Sequence, residues 1–206
     1  EWGIDGSRLA VANALDVVER GGALRNHTTV ERILRDPRTG AAAGVAYRDR
    51  ITGETGVVTA RAVVNATGAW SPLTIPLSGL ASSSARIRPG KGIHVMLDRR
   101  LTNYAVVAKA VDGRQIFLEP WQNMSILGTT DDDYYGNLDR VVPTSEEVRY
   151  LLQAVAQVFP PIRRARAIGT WTGVRPTLHR WGKVEDKLSR EHEIVNHATV
   201  GMPGVL

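Results

Sequence analysis

Cysteine is absent from the sequence, which excludes disulfides, thiolate metal sites and thiol nucleophiles together. No apolar run approaches the roughly 20 residues that a membrane-spanning helix needs. Aromatic residues are scarce, at 6%, and do not interleave with the basic ones. The net charge of +5 is therefore no nucleic-acid signature and suits acidic ligands or an anionic membrane surface instead. His27, His179, His192 and His197 lack the mutual spacing of a zinc site, and no Gly-x-Ser-x-Gly is present for a serine nucleophile. Asp131-Asp132-Asp133 fits no calcium loop and reads as a solvated or capping loop. The stretch EWGIDGSRL has neither the basic head nor the apolar core of a signal peptide. The expected location is cytoplasmic, or peripheral on the cytoplasmic side of the inner membrane.

The 206 residues, 43% apolar and 23% charged, suffice for one large globular domain or two small ones. Asp5 can cap a helix whose Val11, Ala14, Leu15 and Val18 form one apolar face, with Gly21-Gly22 as its stop. Short strand candidates follow at 23–26, 30–35, 44–48 and 55–60, separated by turn residues, which predicts an antiparallel meander. The run 61–66 is continuously apolar before its small-residue end, the pattern of a strand buried on both faces. From residue 86 longer strands are expected at 93–97, 105–111, 115–120 and 124–128, with a hairpin turn at Asp112-Gly113. Thr144-Ser145-Glu146-Glu147 is a capping box. It opens a helix whose Val148, Leu151, Leu152 and Val155 form the buried stripe, and Pro160-Pro161 ends it. The predicted fold class is α+β or α/β: part of a nucleotide-type fold with a β-meander, then an antiparallel sheet backed by helices. The expected divisions are 1–85, 86–172 and 173–206.

Three stretches bear on chemistry. In ARAVVNATGAW (60–70), a strand ends in Asn65-Ala66-Thr67-Gly68 before Trp70, small residues that let a flat ligand lie against backbone. In Arg88-Pro89-Gly90-Lys91-Gly92-Ile93-His94, glycines around a lysine permit close approach, and His94 can exchange a proton near neutrality. The same residues also read as a surface lysine and a half-buried strand histidine. In Thr170-Trp171-Thr172-Gly173-Val174-Arg175-Pro176, a rigid turn would hold Arg175 ready to clamp phosphate or carboxylate, or to make a structural hydrogen bond. Arg190 could join an anion site or pair with Glu191 or Glu193.

Five motifs stand in one order: Asn65-Ala66-Thr67-Gly68-Ala69-Trp70, Lys91-Gly92-x-His94, Gly128-Thr129-Thr130-Asp131, Thr144-x-Glu146-Glu147-Val148-x-Tyr150-Leu151-Leu152, and Gly173-Val174-Arg175-Pro176. The series resembles the FAD-dependent glycerol-3-phosphate dehydrogenases, within the wider D-amino-acid-oxidase-like flavoproteins. The resemblance implies an FAD-binding fold for 1–85, with Val30 beside the adenosine half and Ala66, Thr67, Gly68 and Trp70 against the flavin. It implies a substrate domain at 86–172, with 173–206 returning towards the FAD domain. The implied reaction is oxidation of sn-glycerol 3-phosphate to dihydroxyacetone phosphate by hydride transfer to FAD, with electrons passed to quinone or a partner subunit. His94 and Arg175 would be catalytic, and Lys91 and Arg190 would bind substrate. The family's G-x-G-x-x-G turn is absent, as is its second glycine-rich stretch, which marks the chain as an internal portion of a longer enzyme. Ile93 stands where a small hydroxyl residue is common in the family. An amino-acid or sarcosine-type oxidase is the alternative within this cofactor class, and a non-catalytic anion-binding module is the alternative outside it.

Overall fold

A computed structural model describes residues 4–80, 86–110, 112–180, 182 and 192–206. The chain forms two compact units, one of Glu1–Asn65, Ile75–Ala81 and Asn196–Leu206, the other of Ala66–Thr74 and Ser82–Val195.

The first unit begins with α1 (Gly6–Glu19), capped by the Asp5 carboxylate on the Arg8 amide at 3.0 Å. It ends at Gly21, whose φ of 84° supplies the left-handed stop. The apolar face of this helix is exposed: Val11, Leu15 and Val18 keep 59%, 57% and 48% of their surface. The periodicity built the helix, but nothing among the described residues of this unit covers that face. The meander follows as β1 (Thr28–Arg35), β2 (Ala42–Asp49) and β3 (Thr55–Thr59), antiparallel and in that spatial order. Asp36 and Asp49 each turn the chain by accepting two backbone amides from the following residues. These bonds favour the charged carboxylates, so both are held below the usual carboxylate range. The strand expected at 23–26 is irregular, because the chain bends at 26–27 with His27 at a φ of 50°. The run 61–66 does meet a parallel neighbour, but only through bonds of Val63 and Asn65 to Gly204 and Leu206. Val64 remains 68% exposed, so this segment is not buried on both faces. A small core of Ile33, Ala42, Ile75, Met202 and Val205 holds the unit together.

The second unit is organised around β4 (Ile87–Leu97). A single helical turn, α2 (Ser71–Thr74), precedes it. Then come β5 (Val106–Lys109), β6 (Gln115–Trp121), β7 (Met124–Gly128), the short β8 (Asp132–Asp133), α3 (Ser145–Val158) and β9 (Ala167–Leu178). β9 pairs with β4 along its whole length. The opposite edge of β4 is shared by β7, through His94–Leu97, and by β8, through Gly90 and Lys91. All pairings are antiparallel. The mixed fold class with antiparallel sheets is as expected from sequence.

Strand alternation sends successive side chains of β4 to opposite faces. Ile93, Val95 and Leu97 enter the core with Ile116, Leu118, Leu127, Leu151 and Val155. Gly90, Gly92, His94 and Met96 look the other way. The capping box of α3 is complete: the Glu147 amide donates to the Thr144 hydroxyl at 3.2 Å, and the Thr144 amide to Glu147 Oε2 at 2.7 Å. The same Oε2 accepts from Lys91 Nζ at 2.7 Å, and both side chains are largely buried, with 9% and 14% of their surface exposed. One carboxylate thus caps the helix and neutralises a lysine of β4 on the covered face.

Removing one partner of a buried pair strands the other charge. Glu147→Gln should therefore cost about 3 kcal/mol, more than the ~1 kcal/mol of a lost cap in Thr144→Ala. Urea unfolding of both variants checks the ranking. Adding Lys91→Met to Glu147→Gln should restore most of the loss.

Candidate active site on the open face of the second sheet

The open face carries His94 and Arg175, which sequence had singled out in separate motifs. His94 on β4 stands opposite Gly128 of β7 and Trp171 of β9. Its imidazole stacks on the Trp171 indole, with centroids 5.1 Å apart and planes 7° from parallel. Gly128 leaves room for that ring, since a methyl group there would overlap it. Two residues along, a Cβ on Gly92 would lie 2.5 Å and 2.7 Å from the two terminal nitrogens of Arg175. The guanidinium therefore lies over Gly92. Gly92 and Gly128 each make space for one functional side chain.

Arg175 is held at several points. Its Nη1 donates to Asp131 Oδ1 at 2.8 Å and to the Thr130 carbonyl at 3.4 Å, and its Nη2 to the Thr129 hydroxyl at 3.0 Å. These partners come from the connection between β7 and β8, where the ladder with β4 gains one residue. There the Ile93 amide bonds to the buried Thr130 hydroxyl at 3.0 Å rather than to backbone. Asp131-Asp132-Asp133, expected as a solvated or capping loop, is a row of ion pairs. Asp131 meets Arg175 of β9, Asp132 meets Arg114 ahead of β6, and Asp133 meets Arg88 of β4. Two of the three carboxylates lie in β8, and strand pairing sets them beside basic residues far away in sequence.

Burial, and secondarily the Arg175 charge, lower the His94 pKa below its usual 6.5. The imidazole is consequently neutral at neutral pH and available as a proton acceptor. Lys91, expected among the substrate-binding residues, has its ammonium on Glu147 on the opposite face of the strand. Arg190 lies outside the described residues. Ala66 and Thr67 are exposed, and Gly68, with a φ of 57°, has no atom within 4 Å of where a Cβ would stand. Trp70 is fixed by its indole N–H on Asp139 Oδ1 at 2.9 Å. This short backbone stretch of small residues facing open space is what a planar group needs for close approach, and it belongs to the same unit as His94. Val30 is half-buried on β1 of the first unit, opposite Tyr47. The sequence reading missed Trp171 and Asp131 as parts of the site. The strand register opposite His94 would have pointed to the first.

The whole chain, residues 1–206, matches the family of FAD dependent oxidoreductases known as DAO. The chain belongs to this family. It is 34% identical over 181 residues to an alpha-glycerophosphate oxidase of Streptococcus pneumoniae, covering 84% of this chain and 29% of that protein. It is 29% identical over 199 residues to an aerobic glycerol-3-phosphate dehydrogenase of Staphylococcus haemolyticus, covering 94% of this chain and 35% of that protein. Among solved structures, glycerol-3-phosphate dehydrogenase from Bacillus halodurans, complexed with FAD, superposes with a TM-score of 0.76 at 31% identity, over 84% of this chain and 35% of that one. An L-proline dehydrogenase from P. horikoshii, at 22% identity and a TM-score of 0.65, shares the fold. The chain thus spans about a third of the length of these glycerophosphate relatives. The likeness to glycerol-3-phosphate dehydrogenases read from the five motifs is borne out. No helix among the described residues is long and apolar enough to cross a membrane.

Gly128→Ala should displace the His94 ring and break its stack on Trp171. Loss of ring-current shifts on the imidazole protons, with the fold retained by circular dichroism, is the expected result.

Proposed function

We propose that this chain forms the substrate-facing sheet and part of the cofactor domain of a flavoenzyme that oxidises sn-glycerol 3-phosphate to dihydroxyacetone phosphate. The observation that carries this reading is the His94 imidazole stacked on Trp171, with Arg175 over the neighbouring Gly92, in a chain related to glycerophosphate oxidases and dehydrogenases. His94 accepts the proton of the C2 hydroxyl. Arg175, preorganised on Thr129 and Asp131, stabilises negative charge developing on that oxygen. Ala66, Thr67, Gly68 and Trp70 hold the isoalloxazine side of FAD, and Val30 the adenosine side. FAD, when bound, supplies the acceptor for the electron pair leaving C2.

Arg175 is already paired with Asp131, so it brings directed N–H groups more than net charge. The phosphate is accordingly assigned to Arg190, and Lys91 serves as a strut under the sheet rather than as a ligand. Electrons pass onward to quinone or to an accepting subunit, and the enzyme works in the cytoplasm with peripheral contact at the inner membrane.

Anaerobic bleaching of the bound flavin tests this reading in the flavin-loaded protein that carries the chain. Bleaching by sn-glycerol 3-phosphate is expected. Bleaching by amino acids or sarcosine alone would replace the substrate with an amine. In the same protein His94→Ala should lower turnover by roughly 10²–10⁴-fold with flavin retained. For the parent, log kcat/KM should rise with pH through a midpoint below 6.5, as His94 loses its proton, and then level off. Gly68→Ala puts a methyl group into open space. At a φ of 57° that residue is also strained by about 1 kcal/mol. The variant should therefore be mildly destabilised in urea unfolding and, per folded protein, lower in flavin content, read from the ratio of visible to protein absorbance.

A further inference from the structure

We propose that Asp131 is a positioning residue of the site: its ion pair holds the Arg175 guanidinium over Gly92 and offsets that charge beside His94. The proposal rests on the reading of His94 and Arg175 given above, but its test reads the two side chains themselves and not turnover.

The Asp131 carboxylate and the Arg175 guanidinium meet at 2.8 Å. The Asp131 side chain is 11% exposed and that of Arg175 24% exposed, so the pair is substantially shielded from water and less screened than a surface pair. The next two residues, Asp132 and Asp133, are fixed by pairing with Lys91 and Gly90 of β4. The Asp131 carbonyl accepts from Arg114 Nη1 at 3.1 Å. Its backbone is thus tied down beside Arg175. Arg175 sits on a long side chain with many rotamers, which burial alone would leave loosely placed. Thr129 Oγ1 and Asp131 Oδ1, at 3.0 Å and 2.8 Å, grip its two terminal nitrogens separately. That two-pronged hold fixes the plane of the guanidinium as well as its position.

The groups facing His94 follow from strand register. Trp171 and Arg175 come from β9, the Gly128 backbone from β7, and Gly92 and Met96 from its own strand. Lys91 points to the other face, onto Glu147. Two cations stand on His94's face of the sheet, Arg88 at the far end of β4 on Asp133 and Arg175 over Gly92. Arg175 is the nearer, and it lowers the imidazole's proton affinity after burial does. A carboxylate bound to that cation returns part of the affinity. Asp131 therefore sets how basic the proton acceptor is, without touching substrate.

The test is NMR on the flavin-loaded protein that carries this chain, with histidine and arginine isotopically labelled, following the imidazole of His94 through a pH titration and the Nε–H and Nη signals of Arg175. Asp131→Asn keeps the shape and removes the charge. It should lower the His94 midpoint by roughly half a unit or more and merge the Nη signals of Arg175 as the guanidinium begins to rotate freely. Arg175→Gln should raise the midpoint instead. Asp131→Glu, which keeps the charge with a longer reach, should leave the midpoint near that of the parent while the Nη signals broaden. An unchanged midpoint and unchanged Arg175 signals in Asp131→Asn would overturn the proposal. So would a midpoint in Asp131→Glu that falls as far as in Asp131→Asn. If glycerol 3-phosphate fails to bleach the flavin while these titrations behave as expected, the substrate assignment falls and the role of Asp131 stands.

Discussion

A single strand, hydrogen-bonded along both edges, governs the second unit. β4 has β9 on one side and β7 followed by β8 on the other, so its backbone cannot turn over or slide. A strand held this way presents alternate residues to opposite environments without freedom to exchange them. One set, Lys91, Ile93, Val95 and Leu97, lies under α3. The other, Gly90, Gly92, His94 and Met96, forms the floor of the site. A shift of register by one residue would put the histidine into the core and the isoleucine onto the open face, which is why hydrophobic burial and site geometry enforce one another here.

Charge is managed by the same division. On the covered face Lys91 is neutralised by Glu147, a residue already committed to capping α3. On the open face Arg175 is neutralised by Asp131 and Arg88 by Asp133, whereas Arg114 pairs with Asp132 on the α3 side, its guanidinium over the Tyr150 ring. The sheet thus carries many formal charges in pairs, while burial, and after it the Arg175 charge, disfavours protonation of His94. A hydroxyl group meeting this surface encounters oriented donors and a proton acceptor rather than an electrostatic trap for anions.

Much of the local structure was legible in the sequence because its causes are local. The capping box at Thr144, the aspartate turns of the meander and the glycine stop of α1 each involve groups within a few residues. The motif series also carried the family. What escaped reading depends on partners distant along the chain. The amphipathic pattern of α1 says that a face is apolar but not whether anything in the unit covers it. The three aspartates look solvated until strand pairing sets arginines 18 to 45 residues away beside them. The direction of Lys91 required knowing which face of β4 the helix takes. The stack of Trp171 on His94 required the β4–β9 register.

The connection from Gly128 to Asp132 has a consequence beyond the site it shapes. Because β7 and β8 lie on the same edge of β4 with one residue more than the ladder accommodates, that extra residue lets the chain swing out and back. Through that excursion Thr129, Thr130 and Asp131 come to point at β4 and β9 instead of continuing the pleat. The length of this connection is therefore constrained as well as its composition. Descendants of this chain could exchange many side chains on the outer surface of the sheet and keep its chemistry, but a single deletion between these two strands would restore a regular ladder and erase the feature that makes the surface a site.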